Sequence, residues 1–278
     1  MARRQERSRR TRTAGPGTGA RSLADLPTGP VPTSLATAEL RAHDSGVLLL
    51  LDGTESSWID LADPAHLDFE YHQQMDAALN ALHGPGGAVR AVHLGGAACA
   101  LARAWDATRP GSSQLAVEID ALLAQQVRQW FDLPRAPRLR IRVGDAVAEV
   151  PRLRAGEWDV VVRDVFSAGE VPRTCRSPGF LGGCLRALAP GGLYLANTSS
   201  VPRAAAGADL EAAREVFGGL VVLADPAVAR GRRRGNLVIV ARAEAFDGSE
   251  TQALDLAVRR LPLPVRAWAA DDPALPRP

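Results

Sequence analysis

Lysine is missing from the chain: all 33 basic residues are arginine. With abundant alanine, this marks a bias of composition rather than a chemical signal. Cysteine is scarce. Cys99, Cys175 and Cys184 show neither a C-x-x-C spacing nor nearby histidines at metal-ligand spacing, which argues against zinc and against a disulfide framework. Cys99 and Cys184 fall in apolar helical stretches and read as small buried thiols. No apolar run approaches the ~20 residues that cross a bilayer, and no internal repeat is visible. The first 21 residues carry seven arginines and one glutamate, so +6 sits there and −4 on the rest of a chain of net charge +2. A secretory signal would continue with an apolar segment, whereas threonine, glycine, proline and alanine follow here. The expectation is a cytoplasmic protein with no membrane partner, whose basic arm touches nucleic acid only non-specifically.

What remains is an ordinary globular composition, 46% hydrophobic over 278 residues, enough for one sizeable α/β domain and a small extra piece. Residues 1–43, rich in Arg, Gly, Pro, Ser and Thr, read as a disordered tail. Residues 44–87 read as a β-hairpin and a helix. The apolar run Gly46–Leu51, the turn Asp52-Gly53 and the alternating Ser56–Leu61 make the hairpin. Asp63-Pro64 then starts a helix expected from about Ala65 to Leu82. From residue 88 to 260, short apolar runs alternate with helical patterns. This predicts a class I methyltransferase-like, Rossmann-like α/β fold with a mostly parallel seven-stranded sheet and helices on both faces. The proline-rich residues 261–278 read as a flexible end.

In such a sheet, ligands gather at the carboxyl ends of the strands where strand order reverses. Four loops follow from that rule. Gly95-Gly96-Ala97-Ala98 lets the backbone approach a ligand, with free N–H groups on the next helix. Glu118-Ile119-Asp120 places a carboxylate where ribose hydroxyls can donate to it, while Asp120 is equally a helix N-cap. In Gly144-Asp145-Ala146, Asp145 serves either an adenine amino group or the next helix. Asp164, in Arg163-Asp164-Val165-Phe166, faces the reacting end of a nucleoside.

With those loops in place, the chain resembles the spermidine synthase family, the polyamine aminopropyltransferases, over roughly Gly46 to Ala241. The hairpin VLLLLDGTESSWIDL followed by DFEYHQQM is similar to the family's N-terminal hairpin and its Tyr-His segment. The resemblance implies S-adenosylmethionine or its decarboxylated form as co-substrate, no metal, a small-molecule amine or other nucleophile as acceptor, and a homodimer. It matches Gly95 and Gly96 to the glycine loop, Glu118 to the ribose-binding acid, Asp145 to the adenine-side acid, Asp164 to the catalytic aspartate, and Tyr71 and His72 to the pair lining the reacting centre. Asp120 and Gly144 complete the expected cofactor-binding set, with Asp164 and Tyr71 as the catalytic candidates.

Two positions depart from the family. Ala98 stands where its glycine loop carries an aspartate, and Ser167 where its catalytic loop carries a second one. Both losses remove anionic partners for cationic groups. Three readings follow: an aminopropyltransferase-like enzyme with Asp164 as base, a methyltransferase using the intact cofactor, and a nucleoside-binding or interaction protein without turnover.

Overall fold

The computed structural model describes residues 22–167 and 169–278. The arginine-rich stretch 1–21 lies outside the described residues. The first strands are β1 (Val31–Pro32), β2 (Thr37–His43), β3 (Gly46–Leu51) and β4 (Thr54–Asp60), antiparallel and in chain order. The expected hairpin is therefore the second half of a four-stranded sheet. The strand β2 corrects the reading of disorder as far as residue 43. Ala38, Leu40 and Ala42 alternate with polar residues, but two of the three are small and only Ala38 is buried, so the signal is weak and pairing with β3 makes it a strand. The unbroken apolar run of β3 is explained by burial on both faces. Val47 and Leu49 pack toward Ala98 and Leu123, while Leu48 and Leu50 pack on Trp58.

The helix α1 (Glu70–His83) begins later than Asp63-Pro64 suggests. Asp63 caps only a turn, accepting from the Ala65 N–H (2.9 Å). His66 is held by Asp60 (2.8 Å) and stands edge-on to Trp58. The late start puts Tyr71 and His72 in the helix's first turn.

The second sheet has eight strands: β5 (Arg90–Leu94), β6 (Ser113–Glu118), β7 (Leu139–Val143), β8 (Trp158–Arg163), β9 (Leu188–Ser199), β10 (Gly219–Ala224), β11 (Asn236–Arg242) and β12 (Arg266–Ala269). Their order is β12-β10-β11-β9-β8-β5-β6-β7. Five strands, β7 through β9 in that order, are parallel, and β11 enters antiparallel between β9 and β10. The fold class is the expected one, enlarged by β12. That strand corrects the reading of residues 261–278 as flexible: it pairs with β10, Leu275 is buried in the core, and a Cβ on Gly207 would overlap the backbone of Arg277. Proline-rich flanks suit such an edge strand.

The helices α2 (Ala100–Thr108), α3 (Ala121–Trp130), α4 (Ala146–Glu149), α5 (Pro178–Ala187), α6 (Arg203–Val216), α7 (Pro226–Ala229) and α8 (Gly248–Val258) cover the sheet. One face packs on α1, α2 and α8, the other on α4, α5 and α6. Side chains alternate between faces along a strand. In β8, Val160 and Val162 point toward α1, and Val161 toward α5 and α6. Continued by two residues, this alternation sends Arg163 toward α6 and Asp164 toward α1.

Arg163 is fully buried and meets Asp209 of α6 through two hydrogen bonds, at 2.8 and 2.6 Å. Its Nη2 also donates to the Asn197 carbonyl (3.1 Å). Burial alone would weaken the charged guanidinium, but Asp209 raises its pKa above the ordinary arginine value. Removing one member of such a pair leaves an uncompensated buried charge. Asp209→Ala is expected to cost about 3–5 kcal/mol in urea unfolding, and the apolar double replacement Arg163→Met with Asp209→Leu to recover most of it. A loss under about 1 kcal/mol for the single variant would contradict this account of the pair.

Candidate active site

Strand order reverses between β5 and β8, because the chain moves from β5 outward to β6 and β7 and then crosses to the other side of β5. The four candidate loops leave the sheet in one row there. Backbone bonds extend the parallel ladders past the strand ends: Gly95 N–H to the Val117 carbonyl (3.0 Å), Gly144 N–H to the Glu118 carbonyl (2.9 Å) and Asp164 N–H to the Leu94 carbonyl (2.8 Å). Gly95 has φ of +89°, and a Cβ there would overlap the Asp164 carbonyl. A glycine is therefore required for the first and fourth loops to touch.

Glu118 fixes the glycine loop. Its Oε2 accepts from the Gly96 N–H (3.0 Å) and the Ala97 N–H (2.8 Å), and its Oε1 from the Asp120 N–H (2.9 Å). A carboxylate offers about four acceptor positions, so one remains on Oε1 for a hydroxyl. Ile119 and Val143, beside it at the ends of β6 and β7, are 56% and 50% exposed. They form an apolar surface flanking the acid. Asp145 accepts from the Val147 N–H (2.8 Å) as the α4 cap and is otherwise exposed. Gly144 sits against Glu149, whose Cγ would lie 3.0 Å from an added Cβ.

Asp120 is engaged elsewhere. Its carboxylate caps α3 through Leu123 (2.9 Å) and accepts from the Ser34 and Leu35 N–H groups (2.9 and 2.8 Å). The geometry describes the capping role, and it adds a tie from the N-terminal segment to the large sheet. Two further ties run the same way, from the Ala98 N–H to Ser57 Oγ (3.2 Å) and from Arg103 to the Asp60 carbonyl (2.7 Å). Ala98 is fully buried among Val47, Leu49 and Ile59 of the small sheet. Its methyl group faces a hydrophobic cluster where an acid would be desolvated.

Asp164 is the centre of a second cluster, on the α1 side of the same edge. Asn197 at the end of β9 donates from Nδ2 to Asp164 Oδ1 (2.9 Å), and His72 Nε2 stands 3.6 Å from Oδ2. The Tyr71 phenol lies beside this carboxylate, close enough for the Asp164 charge to act on it. Burial pushes the Asp164 pKa up, but His72, Asn197 and Tyr71 together hold it below the usual carboxylate value. Burial and the Asp164 charge raise the Tyr71 phenol well above its ordinary value, so it stays protonated. His72 stacks on Phe69 at 5.9 Å. Beneath them His93, bonded to Gln114 (2.9 Å), is lowered to about 4, chiefly by burial, and is neutral at pH 7. The nearby Cys99 thiol is pushed up to about 12 by burial and then by Glu118, which makes it unreactive. Among the described residues no group of three or more His, Cys, Asp or Glu is arranged to hold a metal ion, and no helix is long and apolar enough to cross a membrane.

The structure thus brings Tyr71, His72, Gly95, Gly96, Glu118 and Asp164 together and places Asp145 and Gly144 along the same edge. Sequence reasoning missed Asn197, whose only signal was a polar Asn-Thr-Ser closing an apolar strand. It also missed Ser57 and the apolar pair Ile119 and Val143.

No protein-family model and no curated protein matches the chain. Solved structures do. A probable spermidine synthase from Corynebacterium glutamicum is 34% identical, covering 91% of this chain and 96% of its own, with a TM-score of 0.80. A spermidine synthase in complex with the transition-state analogue AdoDATO is 20% identical over 84% of this chain and 77% of its own, with a TM-score of 0.59. Human methyltransferase-like protein 13 in complex with SAH is 23% identical over 74% of this chain and 97% of its own, with a TM-score of 0.56. The last two show the shared fold alone. The first, nearly as long as this chain and matched almost end to end, goes further: this chain belongs to the spermidine synthase-like family.

Proposed function

We propose that the chain is a transferase that binds S-adenosylmethionine or its decarboxylated form and passes an alkyl group from the sulfonium to a nucleophile beside Asp164. The observation that carries this reading is the contact between Gly95 and the Asp164 backbone. It sets a nucleoside cradle directly against a buried carboxylate surrounded by hydrogen-bond donors. The free acceptor position of Glu118 takes a ribose hydroxyl, the exposed faces of Ile119 and Val143 take the base, and Asp145 borders the base's polar edge.

In the reaction the nucleophile's lone pair attacks the carbon next to sulfur. The carbon–sulfur bond breaks, its electrons go to sulfur, and a neutral thioether leaves. An amine must arrive unprotonated, and its ordinary pKa is near ~10. Asp164, held in the ionised form by His72, Asn197 and Tyr71 around it, is a weak proton acceptor at neutral pH. Its role is to orient the nucleophile by accepting an N–H and to stabilise the positive charge that develops on it. Tyr71 and Asn197 keep the carboxylate aimed, and His72 closes the side toward α1.

Aminopropyl transfer is the reading that the Tyr71, His72 and Asp164 arrangement favours. The buried Ala98 favours a second one, methyl transfer from the intact cofactor, because no acid there repels the methionine carboxylate.

Methylthioadenosine at 100 times its Kd is expected to stabilise the chain by about 2.7 kcal/mol, read as a thermal shift that Gly95→Ala abolishes. No shift with methylthioadenosine, S-adenosylhomocysteine or either cofactor would end the proposal. Asp164→Asn should lower kcat about 10²–10³-fold with little change in nucleoside affinity. Because Asp164 is ionised well below neutrality, the acid limb of kcat/KM should follow the acceptor's own pKa across a series of amines. A limb fixed near pH 6–7 for every acceptor would place the proton transfer on another group. Ionised Asp164 stabilises the fold above the unfolded carboxylate pKa near ~3.9, and that contribution is lost as pH falls through its lower folded value.

A further inference from the structure

Side chains alternate between faces along a strand, so the core residues of each strand tell which face its end presents. In β9, Leu195 packs on the α1 side of the sheet, and Asn197 two residues on takes the same face as Asp164. In β10, Val221 and Leu223 pack on that side and carry Asp225 with them. In β11, Val238 does so and carries Asn236. Since β10 and β11 are antiparallel, and β11 and β9 also, the ends of β8, β9 and β10 and the start of β11 open on one edge. Asp164, Asn197, Asn236 and Asp225 therefore form one polar row along that edge, facing the first turn of α1.

The row has an unmet acceptor at one end and a shared cation at the other. Asn197 is buried and donates Nδ2 to Asp164, while its Oδ1 has no partner among the described residues. A buried acceptor without a donor is unfavourable, and an N–H of a nitrogen placed at Asp164 would satisfy it. At the far end, Asp225 caps α7 with Oδ1 (2.6 Å from the Ala227 N–H) and turns Oδ2 to Arg233 Nη2 (3.2 Å). The same Nη2 stands 3.9 Å from Glu70, the residue before Tyr71. Two carboxylates thus share one guanidinium. Arg233 comes from the exposed loop that also carries Arg230, Arg232 and Arg234, and it alone of the four has ion-pair partners among the described residues. Arg230 lies over Trp268 instead (5.3 Å).

Resting on the transferase reading above, we infer that Glu70 and Asp225 form a cation site for the far end of the acceptor, an amine with a second cationic group, and that Arg233 occupies this site until the acceptor displaces it. An ammonium is a compact charge with three donors, so it replaces the guanidinium without leaving either acid unpaired. Asp225 closes β10, three strands from β8, and strands lie ~4.8 Å apart, which puts it on the order of 14 Å along the edge from Asp164. The attacking nitrogen and the far cation are accordingly separated by a long chain rather than by a few carbons.

The test is isothermal titration of the full chain, free and saturated with methylthioadenosine, using 1,8-diaminooctane, 1,4-diaminobutane, 1-aminooctane and 8-aminooctanoate as probes. The long diamine is expected to bind at least fivefold more tightly than each of the others. Arg233→Gln, at an exposed side chain, should tighten it at least threefold by removing the competing cation. Glu70→Gln, at a side chain that makes no hydrogen bond among the described residues, should weaken it at least threefold. A smaller preference for the long diamine, no binding of any amine, or an Arg233→Gln variant that fails to bind it more tightly would overturn the inference. Tighter binding of 8-aminooctanoate would do so by making Arg233 an anion site. Methylthioadenosine heats are read separately. Their absence counts against the transferase reading, while the titrations of the free chain still decide the cation site.

Discussion

A carboxylate buried at the end of a central strand must be surrounded by donors, and much of this structure follows from meeting that demand at Asp164. Asn197 reaches it from the neighbouring strand, and Tyr71 and His72 from a helix that lies earlier in the chain. The preceding residue, Arg163, makes the opposite demand on the other face and is met by Asp209. Strand alternation alone separates the two. One step of β8 thus anchors α6 beneath the sheet and α1 above it, and through Arg163 it also holds the carbonyl of the Asn197 that serves Asp164.

The small N-terminal sheet belongs to the same arrangement. Asp120, Ser57 and Arg103 tie it to the glycine loop and to α2 and α3, and its apolar residues bury Ala98. This packing closes off the position where an acid would hold an ammonium group. The loss at Ala98 is accordingly structural as well as chemical: the space is filled by a core. Ser167, the other departure, lines an open cavity instead, so the two positions differ in their surroundings.

The candidate loops were legible in the sequence because small residues and acids at the ends of apolar runs are imposed by the backbone itself. Gly95 has no room for a Cβ, and Glu118 must answer three N–H groups. The central parallel strands were legible because burial makes nearly continuous apolar runs, and the edge strand β7 because Leu139, Ile141 and Val143 alternate with arginines. The elements that escaped carry a weaker local signature. β2 buries one side chain and β12 is a short edge strand among prolines, so both exist through pairing with partners distant in sequence. Asp120 was legible as acid and cap, but its tie to Ser34 and Leu35 spans more than eighty residues. Asn197 serves a carboxylate on another strand, and no spacing within the chain encodes that meeting.

The account's central claim is that the glycine loop, Glu118 and Asp164 form one nucleoside site with the reacting atom at its Asp164 end. A crystal structure with methylthioadenosine tests it most directly. The predicted result has a ribose hydroxyl on Glu118, the base against Ile119 and Val143, and the thioether sulfur facing Asp164. A nucleoside seated away from Glu118, or one whose sulfur turns away from Asp164, would contradict it.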